Sequence, residues 1–215
     1  MDQINSQKDF WDSTYIANPQ MYGAQASEPG KYAASLFREK HLSSVLELGS
    51  GHGRDTGALL EAGLRVTALD YSAEALSQLS GAFAEDSRRK RLTVVGHDVR
   101  QALPFVDSAF DACYSHMLYN MALSDQELVF LGSEVRRVLV DGGIQVYTVR
   151  HVGDAHFGAG AQIGQMMYEN GGFIVHFFDR ELVEKLASGF EILDISEFSE
   201  GALPRRLWRV TQRKI

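Results

Sequence analysis

Short apolar runs alternate with longer amphipathic stretches from about Ser43 to the middle of the chain. Brief apolar runs bounded by turn formers mark buried strands, and apolar residues at helical spacing between them mark helices packed on a sheet. The pattern predicts strands near 44–48, 65–70, 92–97, 109–115 and 143–149, with helices near 54–62, 72–84 and 124–138. Strand and helix in regular alternation build βαβ units, so the predicted class is α/β, doubly wound around a parallel sheet.

The last third changes character. Phe190-Glu191-Ile192-Leu193-Asp194-Ile195-Ser196-Glu197-Phe198 alternates apolar with polar residues, and Leu207-Trp208-Arg209-Val210-Thr211 resumes that habit after Pro204. A period of two predicts an antiparallel pair closing one edge of the sheet. Ahead of the repeating pattern, Phe10, Trp11, Tyr15, Met21 and Tyr22 stand among polar residues, which predicts a segment that packs back onto the domain. A chain of 215 residues suits one domain with a sizeable core. The expected division is residues 1–30 as an N-terminal cover and 31–215 as the core.

The formal net charge of −7 gives no general attraction to nucleic acid. The basic run Arg88-Arg89-Lys90-Arg91 follows Glu85-Asp86 and reads as a solvated helix end. Cys113 is the only cysteine, which excludes an internal disulfide and any cysteine-based zinc site. It lies in an apolar run and reads as a buried thiol. The first residues lack the basic and apolar regions of a signal peptide, and no window approaches the length of a membrane span. A cytoplasmic protein with neither a membrane nor a nucleic-acid partner is expected; the oligomeric state stays open.

Candidate chemistry concentrates in Val45-Leu46-Glu47-Leu48-Gly49-Ser50-Gly51-His52-Gly53-Arg54-Asp55, followed by a second apolar strand that ends in Asp70. Glycines at 49, 51 and 53 let the backbone turn tightly off the strand and approach a ligand. The helix predicted from Arg54 offers unpaired N–H groups to an anionic group. Asp70, at the tip of the next strand, suits a ribose diol. A dinucleotide turn wants a glycine where Arg54 stands.

The motif resembles that of the class I S-adenosylmethionine-dependent methyltransferases, and the resemblance extends over roughly residues 30 to 213. It implies a mostly parallel, Rossmann-like, seven-stranded sheet finished by a reversed hairpin. Glu47 and the turn of Gly49, Gly51 and Gly53 would hold the methionine part of the cofactor, with Asp70 on the ribose. Asp98, with Val99 beside it, would recognise adenine. Tyr71 and Ser115 are placed at the same rim, and Trp11, Tyr15 and Tyr22 would cover the cofactor, since aromatic faces suit a sulfonium. The chain is also similar to the small tellurite-resistance and thiol methyltransferases.

Past the fourth and fifth strands come Tyr114-Ser115-His116 and the polar, glycine-rich stretch from Val149 to Gly160. His116 and His151 are the catalytic candidates, because a histidine near neutrality can take a proton from an acceptor. Arg150, Asp154, His156 and His176 are candidates for substrate contacts. Their spacing matches no metal motif, and no metal is expected. The implied function is transfer of a methyl group from S-adenosyl-L-methionine to a small-molecule acceptor by in-line displacement. Two other classes stay open: a nicotinamide-dependent oxidoreductase and a non-enzymatic regulatory module that binds S-adenosylmethionine.

Overall fold

The computed structural model describes residues 7–19, 21, 23, 25–201 and 205–215. Five apolar runs pair in parallel: β1 (Ser44–Leu48), β2 (Arg65–Asp70), β3 (Leu92–Gly96), β4 (Phe110–Ser115) and β5 (Leu139–Arg150). Three short strands, β6 (Ala161–Gly164), β7 (Met167–Asn170) and β8 (Phe173–His176), form a separate antiparallel sheet. The last two, β9 (Phe190–Glu200) and β10 (Arg205–Lys214), close the main sheet in the order β3-β2-β1-β4-β5-β10-β9. Only β10 runs against its neighbours. Strand order reverses between β1 and β4, and the carboxyl ends of those strands therefore open a crevice.

Alternation along each strand builds a core on both faces. Val45, Ala112, Tyr114, Ile144 and Val146 meet helices α2 (Glu28–Glu39), α3 (Thr56–Glu61) and α4 (Ala73–Ala82) on one side, which supply Phe37, Leu59 and Leu79. Leu46, Leu48, Cys113, Tyr147 and Val149 face the other side, against α6 (Asp125–Val138) and α7 (Arg180–Leu186). A capping box fixes the start of α6: Ser124 Oγ accepts from Glu127 N–H, and the Ser124 N–H donates to Glu127. Helix α1 (Gln7–Ala17) buries Gln7, Trp11 and Tyr15, one residue per turn on a single stripe. That stripe lies across the crevice, and α1 is tied to α4 by the Ser72 hydroxyl donating to Asp12 and by Gln78 donating to the Tyr15 carbonyl.

Some elements differ from the sequence expectation. The helix placed at 72–84 breaks at Phe83 into α4 and α5 (Ala84–Arg88). Strand β5 begins at Leu139 rather than 143, because Asp141-Gly142-Gly143 forms an irregularity within a strand already paired to Phe110. The helix expected from Arg54 starts at Thr56. Helices α1, α2 and α7 and the sheet β6–β8 are additions to the sequence-predicted elements. Among the described residues no helix is long and apolar enough to cross a membrane.

Candidate active site

The glycine turn after β1 is held from both sides. Gly49 and Ser50 donate to the Leu69 carbonyl, and Gly51 N–H donates to Asp70 Oδ2 at 2.9 Å. Ser72 N–H occupies Asp70 Oδ1, also at 2.9 Å. Gly49, Gly51 and Gly53 all have φ between 54° and 94°, a region that favours glycine. Their surroundings differ. A Cβ on Gly51 would stand 2.6 Å from the Tyr15 hydroxyl, at the lip of a cavity. A Cβ on Gly53 would strike Phe83 and Leu79 instead. Gly53, predicted to touch the cofactor, therefore serves the packing of α4 on the turn.

That cavity measures about 150 Å³ and opens at the ends of β1, β2 and β4. Of the cofactor-binding candidates, Glu47, Gly49, Gly51, Asp70, Tyr71, Asp98, Val99, Trp11 and Tyr15 border it. Tyr22 lies outside the described residues. Ser115 does not border the cavity: it is fully buried and its hydroxyl donates to the Leu48 carbonyl, stapling β4 to β1. Asp98 is gripped by Arg100, whose Nε donates at 3.0 Å to both carboxylate oxygens. Burial pushes the Asp98 carboxyl up, but the Arg100 bonds outweigh it and hold it below the ordinary value. Asp70 is raised, because its burial outweighs the backbone N–H groups of Ser72, Gly51 and Tyr71.

Glu47 is a strongly perturbed carboxyl of the rim. Burial, only partly offset by the bond from Thr56 Oγ1 at 2.6 Å, pushes its pKa up to about 8, and the neighbouring Asp55 and Asp70 add to the shift. The unfolded chain releases this proton near the ordinary value of 4.5. Between those two values the folded state binds more protons than the unfolded state, so stability falls as pH rises from about 4.5 to 8. Urea unfolding at pH 5, 6.5 and 8 is expected to show that decline in the wild type and a flatter profile in Glu47→Gln. Identical profiles would show that Glu47 is ionised in the native protein at neutral pH.

The predicted helix start at Arg54 would have offered free N–H groups to an anion. Instead Asp55 sits at the N-terminus of α3, accepting from Ser27 N–H (2.7 Å), Ser27 Oγ (2.8 Å) and Tyr114 OH (2.7 Å). Arg54 turns to Glu200 on β9, at 3.2 Å.

Residues 45–143, from β1 into β5, match the methyltransferase domain family. The malonyl-[acyl-carrier protein] O-methyltransferase of Erwinia billingiae is 32% identical over 127 residues, 59% of this chain and 47% of that protein. The family match takes in a little under half of the chain. The chain spans about half the length of the curated relative it matches. The Burkholderia thailandensis 1,6-didemethyltoxoflavin N1-methyltransferase, solved with 1,6-didemethyltoxoflavin and S-adenosylhomocysteine, superposes with a TM-score of 0.72 at 22% identity, covering 98% of this chain and 88% of that one. The N-methyltransferase NodS of Bradyrhizobium japonicum, solved with S-adenosylhomocysteine, gives 0.69 at 13% identity, covering 94% and 96%. These two share the fold.

On the far side of the crevice, His116 borders the cavity with both ring nitrogens engaged. Nδ1 lies 2.8 Å from Thr148 Oγ1, and Nε2 lies 3.0 Å from Glu200 Oε2. Burial alone would raise the Glu200 carboxyl; His116 and Arg54 reverse that and bring it down to about 2. His151 does not reach the crevice. Alternation along β5 puts Thr148 and Arg150 on one side and Val149 and His151 on the other, where the His151 ring stacks on Trp208 at 4.6 Å. Burial lowers its pKa, and its Nδ1 accepts from Gly153 N–H. His176 is also buried, its Nδ1 2.7 Å from the Leu123 carbonyl.

A second cavity of about 300 Å³ shares Trp11, Met117, Met121 and Arg205 with the first. Arg150 and His156, two of the candidates for substrate contacts, border it, and Asp154 pairs with Arg150. Sequence reasoning missed Glu200, Arg205, Arg100 and Asn120. The first two arrive from the distant terminal hairpin, for which the local sequence carries no signal; Arg100, two residues after Asp98, was legible as its partner.

Proposed function

We propose that the chain transfers a methyl group from S-adenosylmethionine to a small-molecule acceptor. One observation carries this most: five carboxyl side chains, Glu47, Asp55, Asp70, Asp98 and Glu200, border the first cavity, and although burial keeps Glu47 neutral, Arg54 and Arg100 are paired to carboxylates among the other four and Arg205 stands at the junction with the second cavity. Such a lining suits a cationic sulfonium with its ammonium group and opposes a pyrophosphate, which favours this cofactor over a nicotinamide dinucleotide. The methyl of S-adenosylmethionine is electrophilic because it is carried on a sulfonium.

The residues of the chain hold and enclose that group. Asp70, fixed by Gly51 and Ser72, keeps a second lone pair on each oxygen for a ribose diol. Asp98, held by Arg100 on both oxygens, stands where an adenine amine would meet it. Glu47 and the turn at Gly51 take the methionine end. Trp11 and Tyr15 close over it from α1 and exclude water, so that alignment supplies most of the acceleration. Met117 and Met121 form the boundary at which the cofactor cavity meets the second one, where the acceptor enters. A single cysteine, buried and free, accords with a reducing cytoplasmic setting.

Within this assignment His116 positions Glu200 and the acceptor rather than acting as a free base, since neither ring nitrogen is available without breaking its protein contact. His116→Ala is expected to raise the Michaelis constant of the acceptor more than it lowers turnover, and to leave the pH profile without a lost limb. A hundredfold fall in turnover with loss of a limb near neutrality would make His116 the base. The proposal as a whole is tested by release of S-adenosylhomocysteine from S-adenosylmethionine with a panel of small acceptors. Tight cofactor binding with no acceptor-dependent release would favour the regulatory module.

A further inference from the structure

The second cavity contains a polar group that the protein leaves unsatisfied. Asn120 borders it with a side chain that is 0% exposed, and neither its amide oxygen nor its amide nitrogen meets a hydrogen-bonding partner. Buried amides are satisfied in folded proteins as a rule, and leaving both ends bare is unfavourable. The residue has a fixed root: its carbonyl accepts from His176 N–H at 2.9 Å, and the preceding Tyr119 stacks on Tyr147 at 4.7 Å.

The surroundings narrow what Asn120 awaits. Aromatic side chains, Trp11, Tyr168, Phe173 and Phe177, supply much of the wall and favour a flat ring. The charge of Arg150 is already balanced by Asp154, which it meets at 3.0 and 2.6 Å, the same Nη2 lies 2.9 Å from His156 Nδ1, and the guanidinium lies over the Phe177 ring. Arginine only donates, so His156 Nδ1 accepts and its ring hydrogen sits on Nε2. Arg205, at the junction of the two cavities, is the group that an anionic acceptor would seek instead.

We infer that the acceptor is a flat, uncharged ring carrying a cyclic amide edge, a C=O beside an N–H, and that Asn120 reads that edge. This rests on the methyltransferase reading of the crevice. The asparagine oxygen accepts from the ring N–H while its NH2 donates to the ring carbonyl, the same two-point match by which asparagine reads an adenine edge. Both orphaned atoms are satisfied at once, and an acceptor lacking either group leaves one of them bare.

The probes are 2-pyridone, which has the edge, 1-methyl-2-pyridone, which has lost the N–H, and benzoate, which is anionic. Each is titrated calorimetrically into protein saturated with S-adenosylhomocysteine. The expected result is binding of 2-pyridone, weakening by about tenfold or more with 1-methyl-2-pyridone, and loss of that discrimination in Asn120→Leu. Equal binding of the two pyridones to the wild type, no binding of 2-pyridone up to its solubility, tighter binding of benzoate, or discrimination retained in Asn120→Leu would overturn the inference. The comparison on the wild type stands even if the variant does not fold. Failure of S-adenosylhomocysteine itself to bind would instead overturn the methyltransferase reading.

Discussion

Replacing Gly51 by valine is expected to abolish binding of S-adenosylhomocysteine in a chain that still folds. Two effects act together. Gly51 has φ of 54°, where a β-branched residue is strained by about 1–3 kcal/mol. Its added Cβ would also project to within 2.6 Å of the Tyr15 hydroxyl, across the lip that the cofactor must pass. The strain lowers stability without dismantling the sheet, because β1 and β2 keep their pairing from Ser44 to Leu48. The blocked lip removes affinity by at least a hundredfold. Wild-type affinity in a folded Gly51→Val protein, measured by calorimetry beside a circular dichroism melt, would reduce the glycine turn to punctuation between strand and helix.

Asp70→Ala is expected to weaken the same ligand by about 1.5–3 kcal/mol, the range for hydrogen bonds to a charged group, or roughly 10- to 150-fold. The effect has two sources. The ribose loses its acceptor, and the N–H groups of Gly51 and Ser72, now tied to the two carboxylate oxygens, lose theirs, which loosens the turn. Asp70→Asn keeps one oxygen and separates the two: it is expected to retain most of the thermal stability and to lose much of the affinity. An unchanged dissociation constant in a folded Asp70→Ala protein would remove this residue from the site.

The parts of the fold written in local periodicity were legible. Strands β1 to β4 lie within a residue or so of their predicted bounds, and the glycine turn with Asp70 lies at the rim of the first cavity. What the sequence concealed has physical causes. Strands β6 to β8 are four residues each, too short for alternation to emerge, although Phe173-Ile174-Val175 is an apolar run that could have been noticed. The stripe Gln7, Trp11, Tyr15 has the spacing of a helix face, yet Gln7 broke its apolar character. His151 was misplaced because a strand end was treated as a point on a rim. Counting parity from Thr148 would have sent it to the opposite face, onto Trp208. Glu200 reaches His116 across 84 positions of sequence, a proximity created by the hairpin alone.

What the crevice binds is measured most directly by a calorimetric titration with S-adenosylhomocysteine and with NAD. One-to-one binding of S-adenosylhomocysteine, lost in Gly51→Val, with no heat from NAD, is the expected result. Binding of NAD with none of S-adenosylhomocysteine would contradict it.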